Sequence, residues 1–159
     1  MISETSVYLR VKKHLKNNGW SVLAGQPPSG TDHLPVIEIK DDLELGNGSK
    51  GSFKPDLVAW KENLLIFIEL KPTFNAQDQE KVESVLLSQI RQVALWEELI
   101  QRRAKTADGA LLSDKRGQSQ VVGGLGYGGP HVKRPHLWTF LVEGEKVREI
   151  PAAEPFPQG

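Results

Sequence analysis

The chain predicts an α/β domain of the α+β sandwich type, a central mixed sheet flanked by helices, and three observations predict it. Apolar residues recur at helical spacing near the N-terminus and stop at a glycine. Two apolar runs then flank a short polar turn, as strands do in a hairpin. A long amphipathic stretch follows, and a second pair of strand-like runs closes the chain.

Taken in order, Ser3 is placed to cap a first helix in which Val7, Tyr8, Val11 and Leu15 form one apolar face. "NNG" at Asn17 to Gly19 ends it, and "WSVLAG" begins a strand. Residues 26–52 are rich in proline and glycine, with an edge strand suggested by "PVIEIK". The hairpin strands are Pro55 to Trp60 and Leu64 to Lys71, separated by "KEN"; Pro72 should stop the second from continuing inside a sheet. From Asp78 to Arg103 one long helix is expected, its face marked by Val82, Val85, Leu86, Val93 and Trp96. The segment with six glycines between Gly117 and Gly129 reads as an irregular excursion with a short strand at Gln120 to Val122. "HLWTFLV" and "KVREI" make the closing strands. One domain over 1–150 is expected, with 151–159 a fraying proline-rich tail.

With 159 residues the chain can bury a substantial core. Its 20 basic and 20 acidic side chains cancel, so net charge gives no argument for a polyanionic partner. The absence of cysteine excludes disulfides, thiolate zinc sites and cysteine nucleophiles. No apolar run approaches the ~18 residues of a membrane span, and the N-terminus lacks the apolar core of a signal peptide. A cytoplasmic protein without a membrane partner is expected.

The hairpin carries charges that need a reason. Asp56 follows a proline, and Glu69 and Lys71 close an apolar run, where an uncompensated charge is costly. Side chains alternate along a strand, so Glu69 and Lys71 share a face, and pairing across "KEN" brings Asp56 beside them. Two carboxylates with the Leu70 carbonyl offer hard oxygen ligands suited to Mg²⁺ or Mn²⁺. A neighbouring lysine can orient or help deprotonate a water for attack on phosphorus. The plainer alternative is an edge-strand ion pair between Glu69 and Lys71, with Asp56 a turn residue.

Pro55-Asp56, twelve intervening residues, then Glu69-Leu70-Lys71 resembles the motif of the PD-(D/E)XK nuclease superfamily, the restriction-endonuclease-like fold. That resemblance implies Asp56 and Glu69 as metal ligands and Lys71 as the residue serving the nucleophilic water. It covers about twenty residues closely. Many members carry an acid in the first helix, which here is Glu4; its plain role is to favour the helix dipole in the first turn. Some branches carry a glutamine in the helix after the lysine, and Gln89 takes that position, although Val93 stands where an aromatic is usual. A structural role for Gln89 competes with a catalytic one.

Other signals carry less. "GLGYGG" has dinucleotide-loop spacing, but Pro130 follows and no helix opens there. His131 and His136 have no third ligand in view. Between Arg102 and Arg134 there are seven basic and two acidic residues among the glycines. Arg102, Arg103, Lys115, Arg116, Lys133 and Arg134 are therefore candidates for phosphate contacts. Arg10, Lys12, Lys13 and Lys16 on the first helix read as a solvated face.

The expected function is a Mg²⁺-dependent (or Mn²⁺-dependent) nuclease hydrolysing phosphodiester bonds in nucleic acid, DNA first. A homodimer or a larger nuclease complex would supply targeting. Restriction or phage defence, repair, recombination and transposition are compatible roles. The alternative is a catalytically silent nuclease-like module that binds nucleic acid or a protein; a third reading is an α/β domain unrelated to nucleic acid.

Overall fold

The computed structural model describes residues 2–28, 33–40 and 52–157. Helix α1 (Glu4–Asn17) begins at Ser3, whose hydroxyl accepts the Ser6 N–H at 3.1 Å. It buries Val7, Tyr8, Val11 and Leu15, and the chain leaves it through Gly19 at φ +86°. Strands β1 (Ser21–Gly25), β2 (Leu57–Lys61) and β3 (Leu64–Thr73) form an antiparallel meander. Helices α2 (Ala76–Leu86) and α3 (Gln89–Gln101) and a 3-10 turn (Leu112–Gln118) carry the chain to β4 (Gln120–Gly128). Strands β5 (Trp138–Glu143) and β6 (Lys146–Ile150) follow.

These strands make one six-stranded mixed sheet in the order β1-β2-β3-β4-β5-β6. The β3–β4 and β4–β5 pairs are parallel and the others antiparallel. Helices cover both faces, and β3 shows how alternation divides the core. Ile66, Ile68 and Leu70 pack with α1, while Leu65 and Phe67 pack with Val82, Val85, Leu95 and Trp96 of α2 and α3. An α/β sandwich with a mixed central sheet is therefore what forms.

Several expectations are corrected. The single helix over Asp78 to Arg103 is two helices, broken at Leu87 and Ser88. The Ser88 hydroxyl accepts the Arg91 N–H at 3.1 Å and restarts the helix. The Gln92 side chain donates to the Leu86 carbonyl at 2.9 Å, satisfying the end of α2. The break changes the phase of the apolar face, so Leu87 and Val93 are exposed while Leu95, Trp96 and Leu99 are buried.

The glycine-rich segment is not an excursion but the buried strand β4. A Cβ at Gly123 would lie 2.3 Å from Val82, and one at Gly126 would lie 2.5 Å from Leu70. These glycines let side chains press against the middle of the sheet; they are not free to touch phosphates. Strand β3 passes Pro72, with an irregular register between Leu70 and Thr73 where the missing N–H breaks the ladder. "PVIEIK" contributes a single bridge, Ile39 with Phe53, rather than a strand; residues 29–32 and 41–51 of that loop-rich stretch lie outside the described residues. The tail is held as far as it is described: Phe156 packs on the core and the Glu154 N–H donates to the Pro135 carbonyl at 3.1 Å. Among the described residues no helix is long and apolar enough to cross a membrane.

Candidate functional site

Pro55 and the first residue of β2 bracket Asp56, and its main chain is fixed from both sides. Its N–H donates to the Ile68 carbonyl at 3.1 Å, and its carbonyl accepts the Gln26 N–H at 2.9 Å. The β2–β3 register pairs Leu57 with Ile68 and Val58 with Phe67, so one step further Asp56 faces Glu69. The Asp56 and Glu69 carboxyl groups lie close enough to act on one another. Asp56 Oδ2 also accepts the Leu70 N–H at 2.8 Å. In an extended strand a residue's N–H and C=O point to the same edge, so the Leu70 carbonyl lies on the Asp56 side.

Lys71 follows two positions after Glu69, and its Nζ lies 3.4 Å from Glu4 Oε1 at the start of α1. The chain thus brings Asp56, Glu69, Lys71 and Glu4 together from two strands and a helix terminus. One residue that sequence reasoning missed completes the group. Asp78, in the first turn of α2, lines a narrow cleft with Glu69, Lys71 and Asn75. It is only 3% exposed, and its Oδ2 has no hydrogen-bond partner. "NAQD" reads as a helix start, and Asn75 Oδ1 does accept the Asp78 N–H at 3.0 Å. The sequence signal was therefore accounted for structurally, and nothing in it separated a capping acid from a site acid.

The charges act on one another. Burial, reinforced by the hydrogen bond and charge of Asp56 and the charge of Asp78, pushes Glu69 up to about 10; Lys81 opposes this. Burial likewise raises Asp78, with Asp56 and Glu4 adding to it and Lys71 and Lys81 working against it. For Lys71, burial disfavours the charged amine, but Asp78, Glu4 and Asp56 outweigh it and hold the amine above the ordinary lysine value. Without a metal, Glu69 therefore holds its proton and the Lys71 amine stays protonated.

The donor set fits a small hard cation. Among the described residues no three acidic or histidine side chains form a protein-only metal cage. Mg²⁺ does not require one, since it is commonly held by one or two carboxylates with waters and substrate phosphate. Asp56, Glu69 and the Leu70 carbonyl supply such a partial set, and the buried, unpartnered Asp78 oxygen nearby marks a place that favours positive charge.

The remaining candidates do not join this group. Gln89 is exposed on α3, in an apolar groove with Ile90, Val93 and Ala94 that none of Asp56, Glu69 and Lys71 lines. The six basic candidates are divided between opposite ends of the sheet. Lys115 sits over the Trp60 ring at 5.6 Å, and Arg116 is paired with Glu97 at 2.9 Å. Trp60 pairs with Leu65, which lies about 13 Å along β3 from Glu69. Arg102 and Arg103 are exposed at the end of α3; Ala107, a few residues on, is tied by its N–H to Ser21 at 2.7 Å, and Ser21 in turn pairs with Trp60. Arg134 is at the carboxylate end, but its Nε donates to Gln79 at 2.6 Å and its guanidinium covers Phe74. Lys133 beside it is exposed. They do not form a continuous basic surface.

No protein-family model matches the chain, and no curated protein matches it at a significant level.

Proposed function

We propose that the protein is a metal-dependent nuclease of the PD-(D/E)XK type with a restriction-endonuclease-like core, hydrolysing phosphodiester bonds in DNA. One observation carries the reading: Asp56, just before β2, and Glu69 on β3 lie against one another, and Lys71 lines the same cleft as Glu69. The order of a first helix, this hairpin and a helix after the lysine supports it.

In this reading Asp56, Glu69 and the Leu70 carbonyl hold Mg²⁺ or Mn²⁺. When bound, the cation stabilises charge developing on the phosphoryl oxygens. Lys71 keeps its proton, so its task is to donate a hydrogen bond that orients the attacking water and to stabilise negative charge, rather than to act as a base. Glu4 holds the ammonium in place, and the charges of Asp78 and Glu4 keep it protonated.

Lys71→Ala tests the mechanism. Cleavage of DNA with Mn²⁺ should fall at least ~10²-fold, while DNA retention and Mn²⁺ binding stay close to wild type. The panel should include single-stranded, duplex, nicked and branched DNA. Equal cutting by variant and wild type would sink the mechanism. The second reading, a module that binds without cutting, is supported by the hold of the buried Glu69 carboxyl on its proton, which competes with a cation. It takes over if wild type retains DNA but cuts no substrate with either metal.

A further inference from the structure

A cavity of ≈ 270 Å³ opens on the other side of Glu69, lined by Lys54, Lys81, Ser84 and Arg91. None of its three cations is among the basic residues that the sequence singled out. They come from three separate segments: Lys54 two residues before Asp56, Lys81 on α2, and Arg91 in the first turn of α3. Lys54 and Lys81 are exposed, and neither forms a salt bridge with a described residue. The lining holds three cations against one acid, Glu69, and so favours an anion.

Arg91 is built into position. Its guanidinium donates to Ser84 Oγ at 3.0 Å, and that hydroxyl donates to the Lys81 carbonyl at 2.7 Å. Residues 84 and 91 stand on α2 and α3, so the contact spans the break between the two helices. The same break that exposes Leu87 thus brings an arginine of α3 to a lysine of α2. A planar guanidinium beside two exposed ammonium groups suits the oxygens of a phosphate.

We propose that this cavity is a phosphate-binding subsite, taking a phosphate of the nucleic-acid strand next to the one at Asp56 and Glu69. The proposal rests on the nuclease reading for its ligand, and it gives the strand a direction: from the carboxylate pair, past Glu69, towards the break between α2 and α3. Phosphate contacts of this kind hold register and affinity without reading sequence.

The test is fluorescence anisotropy in EDTA, where no cutting occurs, with single-stranded and duplex oligonucleotides that carry or lack a 5′ phosphate. Lys54→Ala/Lys81→Ala is compared with Lys13→Ala/Lys16→Ala, which removes the same charge from α1, and the urea midpoint of each variant verifies folding. The first pair should raise Kd at least ~10-fold and make the salt dependence shallower by about one to two contacts, against less than ~3-fold for the control. Arg91→Lys, which keeps the charge but loses the fork, should weaken binding by a smaller factor. A 5′-phosphate preference lost in the first pair identifies a terminal phosphate; the same loss of affinity on all oligonucleotides identifies an internal one. Unchanged binding, an equal loss in the control, or equal competition by an acidic peptide overturns the proposal. If the wild type binds through these lysines but cuts nothing with Mg²⁺ or Mn²⁺, the nuclease reading falls and the subsite stands. If the double variant cuts with unchanged KM, the subsite falls and the nuclease reading stands.

Discussion

Glu69 on β3 lies against Asp56, the residue just before β2, and burial together with that neighbour keeps the Glu69 carboxyl protonated. Glu69 is 7% exposed, which leaves little water to share that charge. The proton makes the metal-free protein sensitive to pH in a direction that can be worked out.

A carboxyl raised in the folded state binds its proton more tightly there than in the unfolded chain. Between its ordinary value of 4.5 and about 10 the folded protein holds the extra proton, so stability falls as pH rises through that window. Glu69→Gln replaces the protonated acid with an amide that can donate to Asp56 in the same way. Urea unfolding without metal, measured from pH 5 to 9, should show a falling midpoint in wild type and a flatter one in the variant. Parallel slopes would remove this account of Glu69.

In the nuclease reading a metal has to displace that proton. Mn²⁺ should raise the melting temperature, and its affinity should grow with pH by up to about tenfold per unit while Glu69 remains protonated in the free protein. Titration calorimetry in buffers of different ionisation enthalpy should register close to one proton released. Asp56→Asn should cancel most of the thermal gain. An unchanged metal response in that variant would mean that the ion binds elsewhere.

Asp78 is a buried acid with an unpartnered oxygen, raised first by burial, so its charged form is a burden above its ordinary range. Asp78→Asn should stabilise the metal-free protein by on the order of 1 kcal/mol near pH 8, with the gain shrinking towards pH 4 as the wild-type acid takes up its proton. The same change removes the main charge that holds Lys71 protonated, so cleavage should decline and its pH profile should shift at the alkaline end. A variant that is less stable at every pH would show that Oδ2 makes a contact in solution.

The hairpin and its three charges were legible because they are local. Alternation along β3 and a short turn suffice to set Asp56 opposite Glu69, and the helix faces of Tyr8 and Val11 follow from spacing alone. What could not be read depends on contacts between distant segments. The β4 glycines look like loop because a lone chain does not reveal that Val82 and Leu70 will press on Gly123 and Gly126. The helix break at Ser88 was hidden by apolar residues that continue the period through Leu87 and Val93. Arg134 and Arg116 looked available for phosphates, yet Gln79 and Glu97 already engage them. Asp78 was masked by its sound local role at the start of a helix.

The parallel pairing of β3 with β4 has a consequence for how the chain comes together as it is made. The β2–β3 hairpin closes by short-range contacts, so Asp56 and Glu69 can meet before most of the chain has been synthesised. Strand β4 arrives only after the chain has run from Thr73 to Gln120. Until then one edge of β3, rich in isoleucine and leucine, has no neighbour and is open to pairing with another nascent chain. Pulse-labelled hydrogen exchange during refolding should protect the amides of Val58 and Ile66 before those of Leu125 and Tyr127; simultaneous protection would mean that the hairpin does not form ahead of the rest. The carboxylate pair thus belongs to the piece that assembles first, while Asp78 and Arg91 must wait for the helices, so an early intermediate would already own the two acids but none of the cleft that surrounds them.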